Sequence, residues 1–188
     1  DKEAECAREL ADYMDVTDFL HIETDHLARI GASSLTDENI DVEEVDLDSD
    51  EIPSSYVPFR NSNLLSMATS YAEANDCGAI FIGAHSEDYS GYPDCRPEFF
   101  DAFQQIIDIG TKPETSIDLV APFVDWTKTE IAERGLDLNV PYELTWSCYR
   151  NEEPACGTCD ACAYRLKAFQ DVGMNDPIRY RERSSYSD

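Results

Sequence analysis

The segment Ala79-Ile-Phe-Ile-Gly83 is a short apolar run that ends in glycine, and it predicts a fully buried β-strand. On its N-terminal side the sequence predicts a helix over residues 61–75. On its C-terminal side a helix is predicted over residues 97–109, with Pro97 in its first turn and Gly110 just after its end. A second strand is predicted over residues 117–121. Strands and helices that alternate with short connections indicate an α/β fold, in which helices cover a parallel sheet.

Further elements are predicted on both sides of this unit, and we expect a single domain over residues 1–188. An amphipathic helix is predicted over 4–14, a strand over 18–22, and a helix that begins with a capping box over 127–134. The strongly acidic segment 31–55 has no lysine or arginine, so we expect a solvated, flexible loop. A calcium loop of the EF-hand type is disfavoured, because no glycine interrupts the run of carboxylates.

The charge of the chain excludes several classes of partner. The 188 residues contain 14 Lys and Arg against 40 Asp and Glu, which gives a formal net charge of −26. So acidic a surface repels phosphates and disfavours nucleic-acid binding. No apolar run approaches the length of a membrane span. The composition indicates a cytoplasmic protein that works in concentrated salt, where screening weakens the repulsion between its charges.

Four cysteines lie within fifteen residues, with the spacing C-x7-C-x2-C-x2-C. Four thiolates at such spacing can satisfy a tetrahedral zinc ion, and a closed set of four ligands indicates a structural metal. Disulfides and a C-x-x-C redox pair are the alternatives; the first needs strained short loops, and the second leaves two cysteines unexplained. We therefore predict a zinc-binding subregion over about residues 145–165, with the ligands Cys148, Cys156, Cys159 and Cys162.

The loop over residues 83–96 directly follows the first predicted strand and carries two tyrosines, two aspartates, a histidine and an arginine. Ligands of open α/β sheets bind beyond the carboxyl ends of the strands, so the loop is a candidate ligand site. An ordinary polar turn built on Gly91 and Pro93 is the alternative. Arg60 and Asn61 precede a predicted helix and could present donors to an anion, although a surface arginine and a capping asparagine are equally ordinary.

Three stretches of the chain carry a resemblance to a known family. They are Val57-Pro-Phe-Arg-Asn61, then Asp88-Tyr-Ser-Gly-Tyr-Pro-Asp-Cys-Arg96, and finally Thr145-Trp-Ser-Cys-Tyr149 followed by Cys156-Gly-Thr-Cys-Asp-Ala-Cys162. Together they resemble 7-cyano-7-deazaguanine synthase, the QueC family, over about residues 3–177. The resemblance implies a Rossmann-like parallel sheet of the adenine nucleotide alpha hydrolase or ATP pyrophosphatase type. It also implies one zinc ion on the four cysteines and a deazapurine and nucleotide site near Asp88, Tyr92, Asp94, Arg96, Arg60 and Asn61.

The resemblance also implies an activity. Family members use ATP, magnesium and ammonia to convert 7-carboxy-7-deazaguanine into the nitrile. The carboxylate is adenylated and displaced by ammonia, and the resulting amide oxygen is then activated and lost. The product feeds the tRNA bases queuosine or archaeosine, and the salt-adapted composition favours archaeosine. We expect a homodimer whose other partners are small molecules, and we assign no catalytic residue.

One departure from the family is large. Its members begin with a strand and a pyrophosphate loop of the form S-G-G-x-D-S, and nothing in this sequence matches that loop. The chain is therefore expected to be an N-terminally truncated or late-start version that lacks roughly forty to fifty residues and makes no nitrile alone. An inactive, zinc-stabilised fragment or scaffold protein is the alternative function. A tRNA thiolation enzyme is disfavoured by the acidic charge. Phe59 stands where glycine is common, and we expect it to narrow the pocket mouth.

Overall fold

The computed structural model describes residues 2–37, 39–43, 52–88, 91–150 and 153–187. They belong to two compact units, a sheet unit (Asp50–Thr127) and a helical unit (Asp1–Ser49 with Lys128–Asp188). In chain order the regular elements are α1 (Lys2–Tyr13), α2 (Asp25–Ile30), α3 (Arg60–Ala74), β1 (Ala79–Phe81), α4 (Pro97–Gly110), β2 (Asp118–Val120), α5 (Lys128–Asp137) and α6 (Asp160–Asp171).

The sheet unit is built on one strand–helix–strand crossover. Strands β1 and β2 are parallel, with Ile80 opposite Leu119, and α4 connects them. Helix α4 begins with Pro97 at its first turn and buries one face, on which Phe100, Phe103 and Ile107 follow one another at helical spacing. Helix α3 covers the same core through a buried leucine. The buried residues of this core are Leu65, Ala72, Ile80, Ala84, Cys95, Phe100, Phe103, Ile107 and Ile117.

The helical unit packs α6 against α5. Helix α6 buries one continuous face, and the Phe169 ring meets the Tyr142 ring edge-on with centroids 5.0 Å apart. The Tyr142 hydroxyl donates to the carbonyls of Ile131 and Ala132 on α5. This approach needs a glycine at position 135, because a Cβ there would collide with the Tyr142 hydroxyl.

The predicted elements are largely confirmed, but two details of the sheet are wrong. Residues 18–22 form no strand, and Leu20 and Ile22 are about half exposed. An apolar run becomes a strand only where a neighbour supplies hydrogen bonds, and no described residue pairs with this one. The strand over 79–83 is shorter than predicted and not fully buried, since Phe81 is 72% exposed. In the described residues β1 has a neighbour on one side only.

Two sequence predictions concern less regular regions. The acidic segment 31–55 contains turns and no strand in its described parts, while residue 38 and residues 44–51 lie outside the described residues. Among the helices that the structure describes, none has the length and apolar character needed to cross a bilayer.

Candidate metal centre and substrate site

The four predicted cysteine ligands converge in the helical unit. Their sulfur atoms all lie within 4.8 Å of one another, and all four residues are buried. The Sγ atoms of Cys156 and Cys162 are 3.8 Å apart, and all seven cysteines of the chain are free thiols. A disulfide would require ~2.05 Å between sulfurs. Sulfurs placed ~2.3 Å from one tetrahedral zinc ion would lie about 3.8 Å apart, so the arrangement fits a metal rather than a crosslink.

Local backbone structure aims these sulfurs at one point. Cys159 is the N-cap residue of α6 and Cys162 lies in the first turn of that helix. Gly157 has φ of +86°, a left-handed conformation that turns the chain between Cys156 and Cys159 and that glycine adopts without steric cost. The motif therefore joins a tight turn to a helix start, two geometries that its C-G-T-C-D-A-C pattern favours.

Backbone N–H groups support the sulfurs. The N–H of Cys156 donates to Cys148 Sγ at 3.2 Å. The N–H groups of Thr158 and Cys159 donate to Cys156 Sγ at 3.4 and 3.3 Å. Hydrogen bonds of this kind favour the thiolate form, which is the form that binds a metal.

The four buried thiols cannot all ionise by themselves. Hydrogen bonds from Cys159 and Cys162 hold the pKa of Cys148 far below its usual range. The hydrogen bond to Cys148 is the main cause that raises the pKa of Cys159 to about 11, and it also raises the pKa of Cys162. One thiolate is thus favoured at the expense of its neighbours. A divalent cation at the centre would stabilise the remaining thiolates, so the residues present fit a bound metal.

Arg150 closes one side of this centre. Its guanidinium donates to Thr158 Oγ1 at 3.1 Å and to the backbone carbonyls of Val42 and Glu43 at 2.6 Å each. It therefore ties the turn between Cys156 and Cys159 to the acidic segment 31–55. An arginine inside the cysteine motif is the one sequence signal for this role, but the carbonyls that it binds are more than a hundred positions away.

The sheet unit holds the second group of predicted site residues. The backbone N–H of Asn61, at the start of α3, donates to Asp94 Oδ2 at 2.8 Å. The Asn61 side-chain amide donates to the Asp94 carbonyl at 2.9 Å and to Cys95 Sγ at 3.2 Å. We call these three buried residues the Asn61 cluster. The Asp94 carboxylate therefore occupies part of the N-terminus of α3, where the sequence analysis considered an external anion.

The residues around this cluster have distinct surroundings. Phe59 is the N-cap of α3 with φ of +59°, a left-handed conformation that glycine would adopt with less strain. The Phe59 ring is 61% exposed and meets the Phe99 ring at 6.4 Å. Arg60 is half-buried beside it, and Arg96 is exposed.

The remaining candidates line the loop after β1. Asp88 accepts a hydrogen bond from the His85 N–H at 3.3 Å and lies 3.4 Å from the His85 imidazole. The Tyr92 hydroxyl is 2.9 Å from Ser55 Oγ, and its ring lies 6.1 Å from the Tyr56 ring. Sequence reasoning missed Ser55 and Tyr56, which precede the Val57–Asn61 motif by only one or two positions. Tyr89 and Ser90 lie outside the described residues.

The family model "Queuosine biosynthesis protein QueC" matches residues 1–173. The chain belongs to the QueC family. Family membership, the parallel strands and the four-cysteine centre agree with a nucleotide alpha hydrolase-like fold that carries a C-terminal metal site.

Individual relatives agree with the family. The chain is 71% identical over 188 residues to the 7-cyano-7-deazaguanine synthase of Haloarcula marismortui, which is all of this chain and 81% of that protein. It is 69% identical over 186 residues to the enzyme of that name from Halobacterium salinarum and 55% identical over 179 residues to that from Methanoculleus marisnigri, covering 81% of each. The two salt-loving organisms agree with the salt adaptation that the net charge of −26 predicts.

Proposed function

We propose that the protein is a 7-cyano-7-deazaguanine synthase, a ligase that forms carbon–nitrogen bonds at the expense of ATP. The observation that carries the proposal is the match of the whole chain to relatives of that name at up to 71% identity. The substrates would be 7-carboxy-7-deazaguanine, ammonia and magnesium-bound ATP, and the product would enter queuosine or archaeosine synthesis. A homodimer without nucleic acid remains our expectation, as does a Rossmann-like parallel sheet of the ATP pyrophosphatase type.

The reaction proceeds by two activations. The carboxylate of the substrate attacks the α-phosphate of ATP and releases pyrophosphate; ammonia then attacks the acyl carbon, and AMP leaves with one carboxylate oxygen. The amide oxygen next attacks a second ATP, and loss of AMP and two protons leaves the nitrile. Water must be kept from the acyl intermediate, because hydrolysis would return the acid.

The metal is proposed to be zinc with a structural role. Four thiolates at tetrahedral spacing match the ligand set of structural zinc sites, and four protein ligands leave no open position for water or substrate. Zinc would hold the start of α6 to the two turns that carry Cys148 and Cys156. The chemistry of the reaction is therefore assigned to other parts of the protein.

The deazapurine is proposed to bind near the Asn61 cluster. The cluster is buried and its polar groups are fixed by hydrogen bonds, so it can position the more exposed residues next to it. Tyr92 offers a ring for stacking, and Arg60 and Arg96 offer cationic donors to the substrate carboxylate. Asp88 completes the candidate set. Asp94 would act by holding the start of α3 in place.

An isotope experiment tests the proposal. The product of the complete reading frame is incubated in molar potassium chloride with ATP, Mg²⁺, ammonium and 7-carboxy-7-deazaguanine labelled with ¹⁸O in both carboxylate oxygens, because the 188 residues alone are expected to make no nitrile. Mass spectrometry should detect the nitrile together with two ¹⁸O-labelled AMP molecules per nitrile. An Arg96→Ala variant should weaken substrate binding, whereas Asp101→Ala, which changes an exposed residue of α4, should not.

The same experiment distinguishes the synthase from the alternative function, an inactive zinc-stabilised scaffold protein. A protein that holds zinc and binds the carboxy-deazaguanine but forms neither nitrile nor labelled AMP would support the inactive scaffold function. Unlabelled AMP without nitrile would indicate ATP hydrolysis by water and would contradict both adenylation steps.

A further inference from the structure

The last residues of the chain form a strap over the metal centre. We define this C-terminal strap as residues 176–187, all of which lie in the helical unit. It contains no helix, yet its groups are bonded to α6 and to the cysteine turns at three separate places. A polar segment without regular secondary structure is normally mobile, so this number of specific contacts needs a physical reason.

The first anchor is Asp176, a fully buried carboxylate. Its two oxygens accept hydrogen bonds from Arg165 on α6, at 2.6 Å from Nε and 2.9 Å from Nη2. Tyr180 donates its hydroxyl to the same carboxylate at 2.7 Å, and Arg183 donates to the Asp176 carbonyl at 2.8 Å. The strap is thus fastened to the helix whose first turn holds Cys162.

The second anchor is a short parallel pairing beside Cys156. The N–H of Ala155 donates to the Arg179 carbonyl at 2.9 Å, and the N–H of Arg181 donates to the Ala155 carbonyl at 2.7 Å. Ala155 is completely buried and immediately precedes the ligand Cys156. The next turn also touches the strap, because a Cβ on Gly157 would collide with the carbonyl of Glu182. The strap therefore fixes the backbone on both sides of one ligand.

The third anchor acts on a ligand sulfur through one peptide unit. The Tyr186 hydroxyl donates to the Gly157 carbonyl at 2.8 Å. That carbonyl belongs to the planar peptide whose N–H, on Thr158, donates to Cys156 Sγ. A donor on the oxygen of a peptide orients the whole plane and polarises its N–H. Gln170 of α6 in turn accepts from the N–H of Tyr186 at 2.8 Å and donates to the Ser184 carbonyl.

From this geometry we propose that Tyr186 is a positioning residue of the metal centre and that the C-terminal strap controls how fast the metal is released. The inference rests on the proposed zinc site. Tyr186 acts through the Gly157–Thr158 peptide, which holds Cys156 Sγ in its ligating position. A bound metal can leave only when its thiolates separate. The strap opposes that separation because it holds Ala155 and Gly157, the residues on either side of Cys156.

The test compares Tyr186→Phe with Tyr13→Phe, a matched loss of a hydroxyl from a tyrosine of α1 that is 58% exposed. Each zinc-loaded protein is mixed with the chromophoric chelator 4-(2-pyridylazo)resorcinol, and the rate of zinc transfer is recorded. Tyr186→Phe should release zinc roughly 2- to 10-fold faster, the factor expected for one lost hydrogen bond, while Tyr13→Phe should match the unaltered protein. Gln170→Ala, which frees the strap but keeps the hydroxyl, should also accelerate release.

A second measurement separates positioning from general loosening. The proteins are loaded with Co²⁺, and the thiolate-to-cobalt charge-transfer band is recorded. Tyr186→Phe should shift this band, because a ligand sulfur loses part of its hydrogen bond. Equal release rates and equal bands in all four proteins would overturn the inference and leave the metal site intact. An unaltered protein that holds no zinc would overturn the metal site and the inference together.

Discussion

The metal centre and the Asn61 cluster are both buried groups of polar atoms, but they are completed in different ways. Asn61, Asp94 and Cys95 satisfy one another across 33 and 34 positions of the chain, a donor meeting an acceptor each time. The four cysteines lie within fifteen positions, and their sulfurs lower the pKa of one thiol while raising those of two others. The first group is complete within the protein, whereas the second needs a cation. Substitutions in the two should therefore have effects of different size and kind.

The largest effect is expected for Cys159→Ser. Cys159 is completely buried and lies where the cysteine turn meets the start of α6. Loss of its sulfur should therefore abolish metal binding. The stability at stake is on the order of ten kcal/mol of apparent binding energy. Metal analysis should find close to one zinc per chain in the unaltered protein and none in the variant, and the variant should melt far lower. Cys77→Ser, in the sheet unit and outside the centre, should keep both zinc and stability.

The metal centre could be predicted from the sequence because its ligands are neighbours in the chain. Four cysteines at C-x7-C-x2-C-x2-C spacing with an internal glycine already specify tight turns that bring sulfurs together. What surrounds them could not be predicted in the same way. The hydrogen bonds that Arg150 donates to Val42 and that Arg165 donates to Asp176 join segments whose distance depends on the tertiary fold.

The second-largest loss of stability is expected for Asp176→Asn. Asp176 and Arg165 form a buried ion pair with side-chain exposures of 0% and 8%. Removal of the negative charge leaves the guanidinium buried without its counter-charge, a change that costs about 3–5 kcal/mol. Urea unfolding should show this loss. Asp171→Asn, at a partly exposed pair with Lys167, should have a much smaller effect, and equal losses in both variants would contradict the distinction.

The fold could be predicted where local pattern and tertiary structure agree. The proline and glycine that bracket α4, and the apolar runs that became β1 and β2, gave boundaries within one or two residues. The strand predicted over 18–22 was wrong, because an apolar run carries no information about which strand pairs with it. The prediction that β1 is fully buried fails at Phe81 for the same reason. Burial of a strand depends on the elements packed beside it, and these cannot be read from the sequence of the strand itself.

A moderate effect is expected for Asp94→Ala. The Asp94 carboxylate caps the backbone N–H of Asn61 at the start of α3, and loss of such a cap costs about 0.5–2 kcal/mol. Zinc content should be unchanged, because the Asn61 cluster is complete without a metal. Urea unfolding monitored together with metal analysis checks both points. A loss of zinc in this variant would contradict the separation of the two buried groups, and Asp101→Ala on the exposed face of α4 serves as the control.

The smallest change in stability is expected when the pH is raised and the Cys95 thiol ionises in the unfolded chain. Burial, with the charges of Asp88 and Asp94, raises the pKa of the Cys95 thiol to about 12, from 9.0 for a free thiol. The fold thus favours the neutral thiol, and its contribution is fully present below pH 9. As pH rises from 9 toward 12 the unfolded chain ionises while the folded protein does not, so stability falls by about 1 kcal/mol at pH 10. Urea unfolding at pH 8 and pH 10 should show this loss in the unaltered protein and a correspondingly smaller one in Cys95→Ser, whose hydroxyl does not ionise and can still accept from Asn61. Because the sulfur of Cys95 is held by an internal donor and no metal is involved, the difference between the two proteins should persist when zinc is removed with a chelator. A difference that vanished with the zinc would show that the Asn61 cluster depends on the metal centre after all.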